Sequence, residues 1–195
     1  MSKKSMEEKL ADSFMSLASR KTIDKITIKD ITDDAGVIRS TFYNHFQDKY
    51  ELLEWIIFYR LLGRVDVMVE NGMLKEAIIV AGRNILQDKD FYKNAAKLTG
   101  QNSFESIVER CIAELFMKFF FKNPHAPNAR NPWITPERIA GYYAHGMTYI
   151  FLMWIAADMV VPPEEMAQVY VYIEDRSLLD ALRELGVDPS TVGQQ

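Results

Sequence analysis

Between Thr27 and Lys49 lies a set of side chains suited to hydrogen bonding rather than to making or breaking covalent bonds. Arg39 offers a guanidinium fork, Ser40 and Thr41 hydroxyls, Tyr43 a phenol and Asn44 an amide. At 3.6 residues per turn, Ile38, Phe42 and Phe46 fall on one stripe of a helix over residues 38–46. Ser40, Asn44 and Tyr43 fall on the opposite side, with Thr41, Arg39 and His45 on the flanks. Such a helix can pack on a core and enter a groove with its polar side. An ordinary surface helix would show the same alternation.

Catalytic chemistry finds no support in the same residues. No Ser/His/Asp, Cys/His or phosphate-loop arrangement is present, and no glycine-rich fingerprint. The histidines His45, His125 and His145 and the single Cys111 lack metal-ligand spacing, so no metal and no cofactor is expected.

The polar helix must be held by its neighbours. Met6, Leu10, Phe14 and Leu17 trace one face of a first helix over residues 5–20. Thr27 caps a second helix with Asp30 as its capping-box partner, and Gly36 sits where that helix stops. Asp48, with Glu51 three residues on, caps a long apolar fourth helix running from Leu52 to Leu62. Further helices are expected over Met73–Leu86, Asp90–Leu98 and, from an Asn102/Glu105 capping box, to about Lys122. Residues Asn123–Trp133 hold three prolines and read as an internal loop. Thr135-Pro136 opens an eighth helix to about Asp158, and Pro162-Pro163 opens a ninth. The ninth either continues or breaks near Asp175 and restarts at Ser177, and the tail from Val187 is expected to fray.

The chain has 195 residues, 48% of them hydrophobic and 26% charged. That balance is enough for a real core. Its net charge is −4, which argues mildly against nucleic-acid binding, yet residues 1–50 carry nine Lys/Arg against eight Asp/Glu. DNA binding would then rest on a few placed contacts and be salt-sensitive. The charged N-terminus lacks the apolar stretch of a signal peptide, and the longest apolar run, Gly146–Ala157, is too short to span a bilayer. With one cysteine, the chain is expected in a reducing cytoplasm and not in a membrane.

The run T-I-K-D-I-T-D-D-A-G-V-I-R-S-T-F-Y-N-H-F-Q-D-K-Y-E-L-L resembles the DNA-binding segment of TetR-type (TetR/AcrR) transcriptional regulators. The resemblance covers residues 5–55 and is carried by Ile31, Ala35-Gly36-Val37, Thr41-Phe42-Tyr43, Phe46, Lys49 and Leu52-Leu53. Trp154 followed by PPEE also resembles the branch containing dihydroxyacetone-kinase regulators.

The resemblance implies an all-α protein. A helix-turn-helix domain (residues 1–50) would be joined by helix 4 to an effector-binding and dimerisation domain (51–195). It implies a homodimer through helices 8 and 9, a near-palindromic double-stranded DNA operator and an unknown small-molecule effector. Thr27, His45 and Lys49 would meet phosphates; Arg39, Ser40 and Thr41 would meet backbone and bases; Tyr43 would meet a phosphate or a thymine methyl. Asn44 would pair bidentately with adenine.

Simpler roles compete with several of these: Tyr43 packed on the first helix, Lys49 as a solvated lysine, Cys111 as a small buried hydrophobe. The chain departs from the family at Ile38, where a capping residue is usual. Ile38 either leaves the helix uncapped or extends its buried stripe. Cys111, Tyr142, His145 and Tyr149 are candidates for an effector pocket, while Phe116, Phe119, Phe120 and Phe121 read as packing.

The reading that follows is a ligand-released repressor. Its alternative is a regulator, activation included, controlled by a protein partner. A purely structural bundle ranks below both, and an enzyme is the weakest case.

Overall fold

Ser5 opens the first helix, α1 (Met6–Ala18), through a capping box. Its Oγ accepts from Glu8 N at 3.2 Å, and the Glu8 carboxylate accepts from Ser5 N at 2.9 Å. This start is set by Ser5, a cap that the apolar spacing alone does not reveal. Leu10 and Phe14 are buried, with Met6 and Leu17 packed at the margin. The computed structural model describes residues 4–122 and 131–186. Most of the proline-rich segment 123–133, with His125, and the tail from Val187 lie outside the described residues.

Among the described residues the chain forms eleven α-helices and no strand. α2 (Ile28–Ala35) carries the expected Thr27/Asp30 capping box. It ends at Gly36, whose φ of 64° suits a residue without Cβ. α3 covers only Arg39–Tyr43, shorter than the expected 38–46. α4 (Lys49–Trp55) is capped by Asp48, whose Oδ1 accepts from Tyr50 N and Glu51 N at 2.7 and 2.9 Å. The Glu51 carboxylate turns instead to Gln47 N.

Beyond Trp55 the fourth helix does not stay α. Residues Ile56–Leu62 form a π-helical segment that ends at Gly63. A Cβ on Gly63 would stand 2.7 Å from the Tyr59 carbonyl oxygen, so only glycine fits this exit. A short helix not expected from the sequence follows, α5 (Asp66–Glu70), before a break at Gly72 (φ 73°).

The larger part continues with α6 (Leu74–Gln87), α7 (Lys89–Ala95) and α8 (Phe104–Lys122). Ser103, one residue later than the expected Asn102, accepts from Ser106 N and opens α8. α9 (Pro136–Ala156) begins on the Thr135 cap, and α10 (Pro163–Glu174) on its proline. These correspond to the eighth and ninth helices expected from sequence. The chain does break at Asp175, and Ser177 caps α11 (Leu178–Glu184).

α8 lies along α9, α6 against α10, and α1 against α2, around one continuous core. α6 and α10 meet at Gly82, where a Cβ would come within 2.9 Å of Pro163 Cβ. No helix among the described residues is long and apolar enough to cross a membrane.

Candidate nucleic-acid interface

α3 is held from behind by aromatic packing. Phe42 is fully buried and Phe46 nearly so, with ring centroids 5.8 Å apart, and Trp55 of α4 meets Phe46 edge-on at 6.2 Å. Ile31 and Ala35 of α2 close the same core. The α1–α2 pair is fixed by Ser13 Oγ donating to Asp34 at 2.7 Å. The buried Thr32 hydroxyl donates back to Ile28 O within its own helix.

The other side of α3 is open. Arg39, Ser40 and Asn44 are exposed, Thr41 is half-buried and Tyr43 is 52% exposed. Among the described residues none of these five side chains makes a hydrogen bond within the protein. Tyr43 sets its ring edge-on to Phe42 at 5.7 Å and leaves its hydroxyl in solvent. The guanidinium, two hydroxyls, phenol and amide therefore stand together and unengaged.

Three other expected contact residues are engaged within the protein. Lys49 Nζ donates to the carbonyl oxygens of Ile23, Asp24 and Ile26 at 2.8, 3.0 and 3.0 Å. An ammonium has three protons, and all three are used to tie α4 to the turn that precedes α2. Burial pushes its pKa below the usual lysine range. With its ammonium so engaged, Lys49 is not the solvated lysine of the simpler role. His45 turns back to α1, its Nδ1 2.8 Å from Glu7 Oε1. Thr27 accepts from Asp30 N at 3.1 Å, so its side chain is taken up in the cap of α2. Beside it, the Thr27 backbone N–H, Lys21 and the Thr27 hydroxyl hold the Asp30 carboxyl down to about 2.

Ile38 does not extend the buried stripe. It is 72% exposed, its backbone is extended (φ −87°, ψ 156°) and its side chain makes no cap bond. Of the two alternatives left by the sequence, the uncapped helix start is the one observed.

The four residues expected in an effector pocket do not share one cavity. Cys111 is buried on α8 with its Sγ 3.8 Å from the Glu54 carbonyl, and burial raises its thiol to about 12. Tyr142, His145 and Tyr149 line an open groove of about 460 Å³ between α9 and α10 with Ile150, Tyr170 and Ile173. A separate apolar recess of about 340 Å³ is lined by Val69, Leu74, Phe116, Phe119, Phe120, Ile139 and Tyr143. The phenylalanines that read as packing in the sequence therefore have a different setting. Phe116, Phe119 and Phe120 border the recess, and Phe121 is 77% exposed. Their i, i+3, i+4 spacing is the signal that could have found it.

Comparison with known proteins agrees with this arrangement. The family model described as bacterial regulatory proteins, tetR family, matches residues 13–56. A TetR C-terminal model, described as transcriptional regulator C-terminal region, matches residues 74–173, just over half of the chain. The chain belongs to the TetR family of transcriptional regulators. It is therefore a DNA-binding regulator, and this family and its solved neighbours are regulators rather than enzymes.

Among TetR-family relatives, the HTH-type dhaKLM operon transcriptional activator DhaS of Lactococcus lactis subsp. lactis (strain IL1403) is 40% identical over 47 residues. That match spans 24% of this chain and about a quarter of the relative's own length. A solved dihydroxyacetone kinase operon activator DhaS is 22% identical, with a TM-score of 0.57 over 92% of this chain and 96% of that one. Thermus thermophilus FadR, a TetR-family repressor solved with lauroyl-CoA, has a TM-score of 0.61 at 16% identity, over 89% of this chain and 95% of its own. At these identities the solved structures speak for the fold alone.

Proposed function

We propose that this TetR-family protein is a cytoplasmic, homodimeric repressor that reads a near-palindromic operator and is released by a small apolar effector. The observation that carries the DNA reading is the unengaged set Arg39, Ser40, Thr41, Tyr43 and Asn44 on a helix backed by Phe42 and Phe46. Asn44 is the base reader of the set through bidentate pairing with adenine, and Arg39 pairs with guanine or phosphate. Thr27, at the start of α2, is the phosphate contact of that helix. Lys49 and His45 act indirectly, by fixing α4 and α3 to their neighbours.

The division falls near residue 50, with pairing through α9 and α10. The support for pairing is the exposed row Tyr142, Tyr149, Met153, Val169 and Ile173 on those helices. Two recognition helices one DNA turn apart, roughly 34–36 Å, would then meet two half-sites. The α9–α10 groove thus belongs to the dimer face, and the effector is assigned to the recess against Phe116 and Phe120.

Release requires that the effector favour one spacing over the other. The fourth helix is placed to carry that preference. On one side Glu54 pairs with Arg110 of α8 at 2.9 and 3.1 Å, and Lys118 lies over Phe58. On the other, Arg60 in the π segment donates to Asp12 at 2.8 Å and to the Glu8 carbonyl at 2.7 Å on α1.

The name of the DhaS relative, a transcriptional activator, favours a second reading, activation. Selection of bound sequences from a random DNA pool, followed by gel shift with wild type and Asn44→Ala, tests the DNA reading. An enriched inverted repeat that Asn44→Ala no longer binds supports it; equal binding by both proteins refutes the assignment. A reporter placed behind the selected site then separates the two readings, since a fall in expression means repression and a rise means activation.

A further inference from the structure

Within residues 4–55 the large apolar side chains left exposed are Ile38 and Tyr43. Ile38 is the more exposed of the two. The backbone is extended there, so Val37 turns inward against the core and Ile38 turns out beside Arg39 and Ser40. The position immediately precedes α3, where a side-chain oxygen would accept from a free backbone N–H, and isoleucine forgoes that bond. It therefore serves neither the helix nor the core.

A lone exposed isoleucine is ordinary on a protein surface. This one stands at the leading end of the helix assigned to the major groove, among side chains that all lack partners in the protein. Hydrogen-bonding groups crowd the floor of that groove, and its apolar feature is the thymine C5-methyl.

From this placement we infer that Ile38 is a specificity-determining residue that reads a thymine methyl in each half-site. The inference rests on the reading of α3 as the base-reading helix. Arg39 and Asn44 recognise base edges by hydrogen bonds, and Ile38 adds a preference that no hydrogen bond can supply. At its position, cytosine and the purines lack the methyl. Removing one buried methyl-sized contact is worth about fourfold in affinity, the equivalent of ~0.8 kcal/mol.

The test uses the full chain and the site selected from random DNA. Each thymine is replaced in turn by deoxyuridine, which removes the methyl and keeps both Watson–Crick pairing and the O4 acceptor. Affinities of wild type, Ile38→Ser and Asn44→Ala are measured by fluorescence anisotropy. The expected result is one thymine per half-site whose uracil form binds wild type about fourfold more weakly and binds Ile38→Ser unchanged. Because serine supplies the missing cap, the variant's Tm should equal or exceed that of wild type, which excludes a folding defect.

Superimposable uracil profiles for wild type and Ile38→Ser overturn the inference, as does a selected half-site without thymine. If Asn44→Ala also binds the selected site as tightly as wild type, the base-reading role of α3 has failed and Ile38 falls with it. If Asn44→Ala loses affinity while the two uracil profiles coincide, only the Ile38 assignment is lost.

Discussion

The α3 face and the α9–α10 face are both open to solvent, yet they leave opposite chemistry uncovered. On α3 the open groups are donors and acceptors, with Ile38 and Tyr43 as the apolar members. On α9 and α10 they are Tyr142, Tyr149, Met153, Val169 and Ile173. Polar side chains left without partners suit a surface that itself presents hydrogen-bonding edges. A contiguous apolar row suits burial against another apolar surface, and a second copy supplies one by symmetry. What a folded unit leaves unsatisfied thus points to the partner it is built to meet.

The comparison breaks most visibly if charge enters the apolar row. Met153→Asp combined with Ile173→Asp should abolish the proposed dimer and lower operator affinity by about a thousandfold, because the second half-site no longer binds intramolecularly. Sedimentation velocity would show the monomer, and gel shift the loss of affinity. A variant that remained dimeric would remove α9 and α10 from the interface. On the other face, Asn44→Ala should weaken binding by about tenfold to a hundredfold per half-site and relax discrimination at the adenine position. Uniform weakening across all sequences would make Asn44 a backbone contact instead.

Lys49 sharpens the contrast, because it lies in the DNA-binding segment but is spent on the scaffold. Lys49→Met leaves three carbonyls without their charged donor. The expected cost is about 2–3 kcal/mol, or roughly 5–10 °C in Tm. The slope of log affinity against log salt for DNA binding should not change. A phosphate ligand would behave the other way, with an unaltered Tm and a slope reduced by about one.

Lys49 also shows where sequence reading succeeds and where it stops. The caps at Thr27, Asp48, Thr135 and Ser177 are legible because their partners lie two or three residues away. So are the buried Phe42 and Phe46, since helical periodicity separates inside from outside. The partners of Lys49 lie 23–26 residues away and that of His45 lies 38 away, distances that no local spacing records. The separation of Cys111 from Tyr142 and His145 is hidden for the same reason: it depends on how α8 sits against α4 and α9. The π segment is illegible because Ile56, Ile57, Leu61 and Leu62 are buried in it at spacings an α-helical stripe also uses, so their pattern does not report the hydrogen-bond ladder.

That segment yields a smaller prediction. Gly63→Ala places a methyl against the Tyr59 carbonyl, so the helix must shift or rewind at its exit. A loss of about 1–3 kcal/mol is expected in urea unfolding. Because Arg60 holds α1 from within the π segment, hydrogen exchange should rise in α1 as well. A Tm and an exchange pattern identical to wild type would show that the segment tolerates either winding.

The smallest effect concerns Asp30, which closes the capping box of α2. Its carboxyl accepts from Thr27 N at 2.9 Å and pairs with Lys21 at 3.1 Å, and its pKa falls from the ordinary aspartate value to about 2. A carboxyl whose folded pKa is depressed stabilises the fold above its unfolded pKa, near 4, and that contribution is lost as pH falls towards 2. The stability lost between pH 4.5 and 2.5 should therefore be smaller in Asp30→Asn than in wild type. At neutral pH the variant should be slightly less stable, because the amide keeps an acceptor for Thr27 N but loses the charge that pairs with Lys21. Urea unfolding at the two pH values measures both effects. Equal losses in the two proteins would mean that the Thr27/Asp30 box holds α2 by geometry alone, with no electrostatic part.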